Sequence, residues 1–249
     1  MNRVLLAYAP HMLRDYLMTR GGAMAVVAAV FVLPLVLTLA QATEVPPPEV
    51  THSQGVGLLL ALTPFLALIA SYGLIGQDFR LGFFRPLFAK PISVPLYYAM
   101  IFCCAALTFW IVQALSLLAL AAFQINAWEP AAALEMSFRF ALLGGLTFAM
   151  SRVTRLDWLY AFLIYQLAAP LRTLLPAEET IRGFLINIVF PPTHVFTLSP
   201  TARTEGRFSA LVGASGPEWA SIAWLIGYIT VCLVIGLCTV RRLELASVQ

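Results

Sequence analysis

The feature that most constrains this chain is a repeated one: long apolar stretches that carry almost no charged side chain. They recur at about 21–40, 56–76, 96–123, 136–150, 158–175 and 219–240. A helix needs roughly 20 apolar residues to cross a hydrocarbon layer about 30 Å thick. Within that layer the backbone must satisfy its own polar groups, which a helix does. The expected fold class is therefore an all-α integral membrane protein with six transmembrane helices, forming one transmembrane domain over residues 1–249. Composition agrees, with 61% hydrophobic and 11% charged residues against about 45–50% and about 25% in a soluble domain. Mean hydropathy is +0.87. No cleavable signal is expected, because the first apolar run starts near Gly21 after a polar-studded lead with no small-residue cleavage site.

The segments between the runs complete the layout. Residues 1–20 read as a lead, with Pro10 opening a short helix whose Met12, Leu13, Tyr16 and Leu17 share a face opposite Arg14. That pattern suits an N-terminal interfacial helix; a simple extension is the competing reading. "QATEVPPPEVTHSQG" reads as a loop in which three prolines end the helix. Gly144-Gly145 marks a close-packing point in the fourth run. Residues 176–218 form an outer loop, in which Pro191-Pro192 cut "GFLINIVF" short. Partial outer-leaflet helices between spans five and six are expected there, with a seventh span as the alternative.

Counting Lys and Arg orients the bundle. With the N-terminus inside, ten fall in inner segments (Arg3, Arg14, Arg20, Arg80, Arg85, Lys90, Arg152, Arg155, Arg241, Arg242) and five in outer ones (Arg139, Arg172, Arg182, Arg203, Arg207). Both termini are thus expected in the cytoplasm of a cell bounded by this inner or plasma membrane.

The runs offer little for catalysis. Ionisable residues inside a membrane are costly and mark function when present. Here Arg139 and Arg172 read as outer-end residues able to snorkel, and Asp157 as an inner-edge charge beside Arg155. Cys103, Cys104, Cys232 and Cys238 all fall in spans and read as small hydrophobes. His11, His52 and His194 are scattered, so no metal site is expected. No GxSxG, HExxH or Asp-rich motif occurs. A Walker A loop needs a lysine after a glycine-rich turn. The only lysine, Lys90, sits in "FRPLFAKPIS", with no glycine nearer than Gly82. The chain is expected not to be an enzyme and to hold no cofactor of its own.

One stretch between the second and third runs is different in character: "IGQDFRLGFFRPLFAKPISVPLYY", residues 75–98. Asp78, Arg80, Gly82, Leu87, Ala89, Pro91, Ile92, Ser93, Tyr97 and Tyr98 follow one another in an order that resembles the cytoplasmic loop of ABC-2 type ATP-binding-cassette transporter permease subunits. There an acidic residue, a basic residue and a glycine lead through a short helix to a P-[IV]-S turn and an aromatic start of the third span. The chain departs from that pattern in placing Val94-Pro95 directly after Ser93.

The resemblance implies that residues 77–95 carry a coupling helix seated on a separate nucleotide-binding subunit. Phe83, Phe84, Leu87 and Phe88 would be its apolar anchor; Arg80, Arg85 and Lys90 would form a polar rim, with Asp78, Gly82 and Pro91 framing the segment. Aromatic and arginine anchors are what interface hot spots favour. An ordinary positive-inside loop with its aromatics in the headgroups is the alternative. The implied function is a membrane permease forming the translocation path, exporting an amphipathic or apolar cargo. The implied partners are P-loop ATPase subunits that bind the ATP and Mg, a second permease subunit (identical or related) and membrane lipid, with no nucleic acid. The other reading is a non-transporting membrane anchor or assembly subunit of a larger complex.

Overall fold

The computed structural model describes residues 2–41, 47–75, 93–151, 156–174 and 217–246. Among them lie seven α-helices: α1 (Asn2–Tyr16), α2 (Gly22–Ala40), α3 (Pro48–Ser71), α4 (Val94–Ala122), α5 (Pro130–Met150), α6 (Asp157–Leu174) and α7 (Pro217–Ala246). No strand occurs among these residues. Five helical stretches there are long and apolar enough to cross a membrane: Ala7–Leu39, Pro48–Ser71, Val94–Ala122, Pro130–Met150 and Ile222–Val240. The protein is therefore helical and membrane-embedded. The fifth expected run corresponds to α6, which is not among the five; Asp157, Gln166 and Arg172 dilute its hydropathy.

Three sequence expectations change. The lead is not a separate helix opening at Pro10. α1 starts at Asn2 with Pro10 inside it, and it passes into α2 through a π-helical turn, Leu17–Gly21. Tyr16, Gly21 and Gly22 all keep right-handed helical dihedrals across that turn. A helix that continues leaves no backbone group orphaned where water is scarce, and that outweighs the weak breaking tendency of a Gly pair. Next, the loop expected over 41–55 is shorter, because residues 48–55 are already helical. Pro47 is extended and Pro48 opens α3, since a proline at the first helical position forfeits only an N–H that had no partner. Third, the fourth span begins at Pro130 rather than near Met136, so Glu135 and Arg139 lie inside it. The partial helices expected over 176–216 lie outside the described residues.

Packing puts α5 at the centre. It pairs most extensively with α3 on one side and α7 on the other, and also with α6. Every residue from Leu142 to Phe148 is buried. Small residues permit this: a Cβ on Gly144 would sit 3.1 Å from the Phe102 ring of α4, and one on Gly236 of α7 only 2.3 Å from Phe148. Phe102 and Phe109 of α4 meet Phe140 and Phe148 of α5, with Phe109 and Phe140 stacked at 4.8 Å. α1 lies against α4, and α2 against α3 and α4. At the far end of α3 from the 76–92 segment, His52 Nδ1 meets the Asn126 carbonyl at 2.5 Å. There Gly55 abuts Ala127, where a Cβ would come within 2.8 Å.

Candidate functional site: the root of the 76–92 segment

The residues expected to contact a partner, Asp78, Arg80, Gly82, Phe83, Phe84, Arg85, Leu87, Phe88, Lys90 and Pro91, lie outside the described residues. The structure does describe both ends from which that segment emerges.

At the first end, α3 stops at Ser71 because Tyr72 turns to an extended conformation (ψ 129°). Gly73 then takes φ 62°, a left-handed value that costs a residue with a Cβ about 1–2 kcal/mol. Gly73, Leu74 and Ile75 are buried, so their freed backbone groups need partners. Two distant side chains supply them. Asp157, the first residue of α6, accepts from the Gly73 N–H at 3.0 Å through Oδ2 and from the Trp158 N–H at 2.9 Å through Oδ1. Ser151, just past α5, accepts from the Ile75 N–H at 3.0 Å. Asp157 is fully buried. Backbone donors and the positive end of α6 compensate the cost of placing its carboxylate there.

The carbonyls at the same end of α3 are engaged as well. The last turn of a helix leaves acceptors without intrahelical partners. Arg20, from the π-helical turn, donates through Nη1 to the Ile69 and Ala70 carbonyls at 3.1 and 3.2 Å. The Tyr16 hydroxyl donates to Ala70 at 2.9 Å. The guanidinium lies over the Tyr16 ring at 5.0 Å and the Tyr72 ring at 5.8 Å, both within cation–π range. A cation at a helix C-terminus also complements the helix dipole.

At the second end, Ser93 is extended and α4 starts at Val94, with Pro95 in the first turn. Tyr97 N–H closes that turn on the Ser93 carbonyl at 3.0 Å. Tyr98 is buried in the core, edge-on to Tyr97 at 5.1 Å. Both ends of the 76–92 segment are thus fastened into the bundle, the first to α5, α6 and the π-helical turn together.

The sequence alone puts Asp157 at the edge of the fifth span beside Arg155 and offers no joint role for Ser151, Tyr16 and Arg20. In the structure Asp157 opens α6 but is buried, and all four residues gather around residues 69–75. The available signal was weak: an aspartate opening an apolar run beside a tryptophan. A cleft of about 570 Å³ adjoins this site, lined by Thr19, Arg20, Ala23, Leu68, Ile69, Tyr72 and Trp158.

Two polar features lie deeper. Arg139 pairs with Glu135 one turn away on α5, both largely shielded by protein. Arg139 therefore lies within α5 (Pro130–Met150) and is largely shielded, whereas the sequence suggests a residue near the end of a span starting near Met136. Gln113 of α4 donates to Thr63 of α3 at 3.0 Å, and Thr63 donates on to the Leu59 carbonyl at 2.8 Å. Gln113 Oε1 and Thr108 Oγ1 are buried with no hydrogen-bond partner. Among the described residues, no three His, Cys, Asp or Glu side chains cluster to hold a metal ion. The chemistry these groups offer is hydrogen bonding and ion pairing.

The site belongs to a helical membrane-embedded protein whose polar fastenings gather at the root of one connecting segment. No family model, curated protein or solved structure matches the chain.

Proposed function

We propose that this chain is the membrane subunit of an ABC-2 type, ATP-driven transporter, and that residues 77–95 dock on a separate P-loop ATPase that binds the ATP and Mg. The observation that carries the reading is the fastening of the loop's root. Gly73 and Ile75 are tied to α6 and α5 through Asp157 and Ser151. The adjoining end of α3 is tied to Arg20 and Tyr16. A push on the segment would reach four helices at once through short bonds, as coupling a motor to a bundle requires. The motif order from Asp78 to Tyr98 supports the same reading. So does the loop-charge asymmetry of ten Lys and Arg against five, the pattern expected if the segment and both termini face the cytoplasm. Phe83, Phe84, Leu87 and Phe88 would anchor the contact inside a rim of Arg80, Arg85 and Lys90. Two such permease subunits would line the path of an exported amphipathic or apolar cargo.

Purifying the chain with its neighbouring gene products tests the proposal. A P-loop ATPase should co-purify, and reversing Arg85 and Lys90 to glutamate should release it. If no ATPase accompanies the chain and the reversal leaves activity unchanged, the proposal fails. If the ATPase binds but no cargo stimulates hydrolysis or crosses the bilayer, the chain is a non-transporting anchor.

A further inference from the structure

We propose that the π-helical turn Leu17–Gly21 is a register hinge. By rewinding to α-helical bonding it rotates α1 about its own axis and withdraws Tyr16 from the end of α3, which loosens the root of the 76–92 segment. The hinge needs only the helix bundle, whether or not that segment meets an ATPase.

The turn holds one residue more than an α-helix allows. The Gly22 N–H closes it on the Leu17 carbonyl, five residues back, where an α-helical bond reaches about four. Such π turns inside α-helices recur at functional sites. Taking up the extra residue while α2 stays still advances α1 by one position. It turns α1 by about 100° and displaces it about 1.5 Å along its axis. Leu17 then arrives where Tyr16 stands, and Leu13 where Met12 stands.

The sequence of α1 suits both registers. Met12 and Tyr16 pack against the core in the present one. Their successors Leu13 and Leu17 are apolar as well, so the shifted register buries hydrocarbon in the same places. The hydroxyl is what changes. Tyr16 donates to the Ala70 carbonyl at 2.9 Å, and a leucine has no donor to put in its place. α1 can therefore alternate between a register tied to α3 and one that is only packed.

The surroundings leave room for the change. Glycines stand at 21 and 22, and a Cβ on Gly22 would meet nothing within 4 Å. The cleft of about 570 Å³ opens beside Thr19 and Arg20 of the turn. Behind the turn, a Cβ on Gly21 would sit 3.5 Å from the Thr108 methyl of α4. Thr63 and Ser116 donate to carbonyls of their own helices, but the fully buried Thr108 hydroxyl has no partner among the described residues. An unsatisfied buried hydroxyl costs stability, so the tied register carries a penalty that offsets part of the Tyr16 bond. A turn that shifts past Thr108 carries carbonyls with it, each with a second lone pair able to accept.

Spin-label distances in the full chain, held in nanodiscs, test the hinge. One label sits on His11→Cys, at an exposed position of α1, and the other on the exposed native Cys238 of α7, with the exposed Cys103 replaced by alanine. Turning a helix about 10–12 Å across by about 100° carries a surface label about 8 Å, so a major and a minor distance are expected. Deleting Met18 removes the extra residue and keeps Tyr16 facing α3, so the major distance alone should remain. Tyr16→Phe keeps the ring and loses the bond, and should raise the minor distance about fivefold. A single distance in the native chain that stays single in Tyr16→Phe overturns the proposal. Two distances whose ratio Tyr16→Phe leaves unchanged overturn it as well.

Discussion

The carboxylate of Asp157 holds the backbone N–H of Gly73 at 3.0 Å, across 84 residues of sequence. It does so from the first turn of α6 at the point where α3 has ended, so one buried side chain both caps one helix and fixes the exit from another. Ser151 repeats the device two residues on, at Ile75. The backbone leading into the 76–92 segment is therefore positioned by side chains of other helices rather than by its own ladder.

Asp157→Ala should destabilise the protein more than Ser151→Ala. The aspartate serves two donors, the buried Gly73 N–H and the part-buried Trp158 N–H, and a bond to a charged group contributes about 1.5–3 kcal/mol; the serine gives Ile75 a single neutral bond of about 0.5–1.5 kcal/mol. Thermal unfolding in nanodiscs should show the aspartate variant with the lower midpoint. A smaller loss for Asp157→Ala than for Ser151→Ala would show that the carboxylate is not what holds Gly73.

The crossing of α5 and α7 gives a steric prediction. A methyl group at Gly236 would come within 2.3 Å of Phe148, whose ring is buried. Gly236→Ala should cost about 1–3 kcal/mol, as overpacking does, and shortening Phe148 to Leu in the same protein should recover part of the loss. Gly227→Ala is the internal control. Nothing lies within 4 Å of a Cβ there, so exchanging a mid-helix glycine should be neutral or stabilise by up to about 1 kcal/mol.

These particulars show what the sequence could carry. Runs of apolar residues located the helices because crossing a bilayer demands length and hydropathy, both local properties. Gly144 was visible as a close-packing point, yet the tighter contact at Gly236 was not, since nothing local says that Phe148 will face it. Pro48 looked like a terminator and proved to be a start, because the same residue serves both roles depending on which side the helix lies. The polar root was least legible. Asp157, Ser151 and Arg20 lie far apart in sequence and act on backbone groups, which have no sequence signature. Of the residues expected to meet a partner, from Asp78 to Pro91, none is among those the structure describes.

Gln113 offers a test of whether a buried polar group in the bundle is structural. It donates to Thr63, but Thr63 keeps its own bond to the Leu59 carbonyl, and Gln113 Oε1 has no partner. Gln113→Leu therefore loses one bond, worth about 0.6 kcal/mol between membrane helices, while removing an unsatisfied oxygen. The thermal midpoint should stay the same or rise. A clear fall would show that the Gln113–Thr63 bond is a principal tie between α3 and α4.

The ion pair on α5 should behave in the opposite way. Glu135 and Arg139 lie one turn apart with both side chains largely removed from solvent. Removing one partner leaves the other charged and shielded, a change that costs about 3–5 kcal/mol when a buried pair is broken. Replacing both by apolar residues of similar volume removes the desolvation cost along with the attraction, and such exchanges are often neutral. Arg139→Met should therefore lower the thermal midpoint strongly, while Glu135→Leu combined with Arg139→Met should restore most of it. If the double variant is as unstable as the single one, Arg139 is held by more than its pairing with Glu135. If the double variant regains stability but the assembled protein loses activity, the pair serves function rather than fold, as expected of a charge kept inside a membrane.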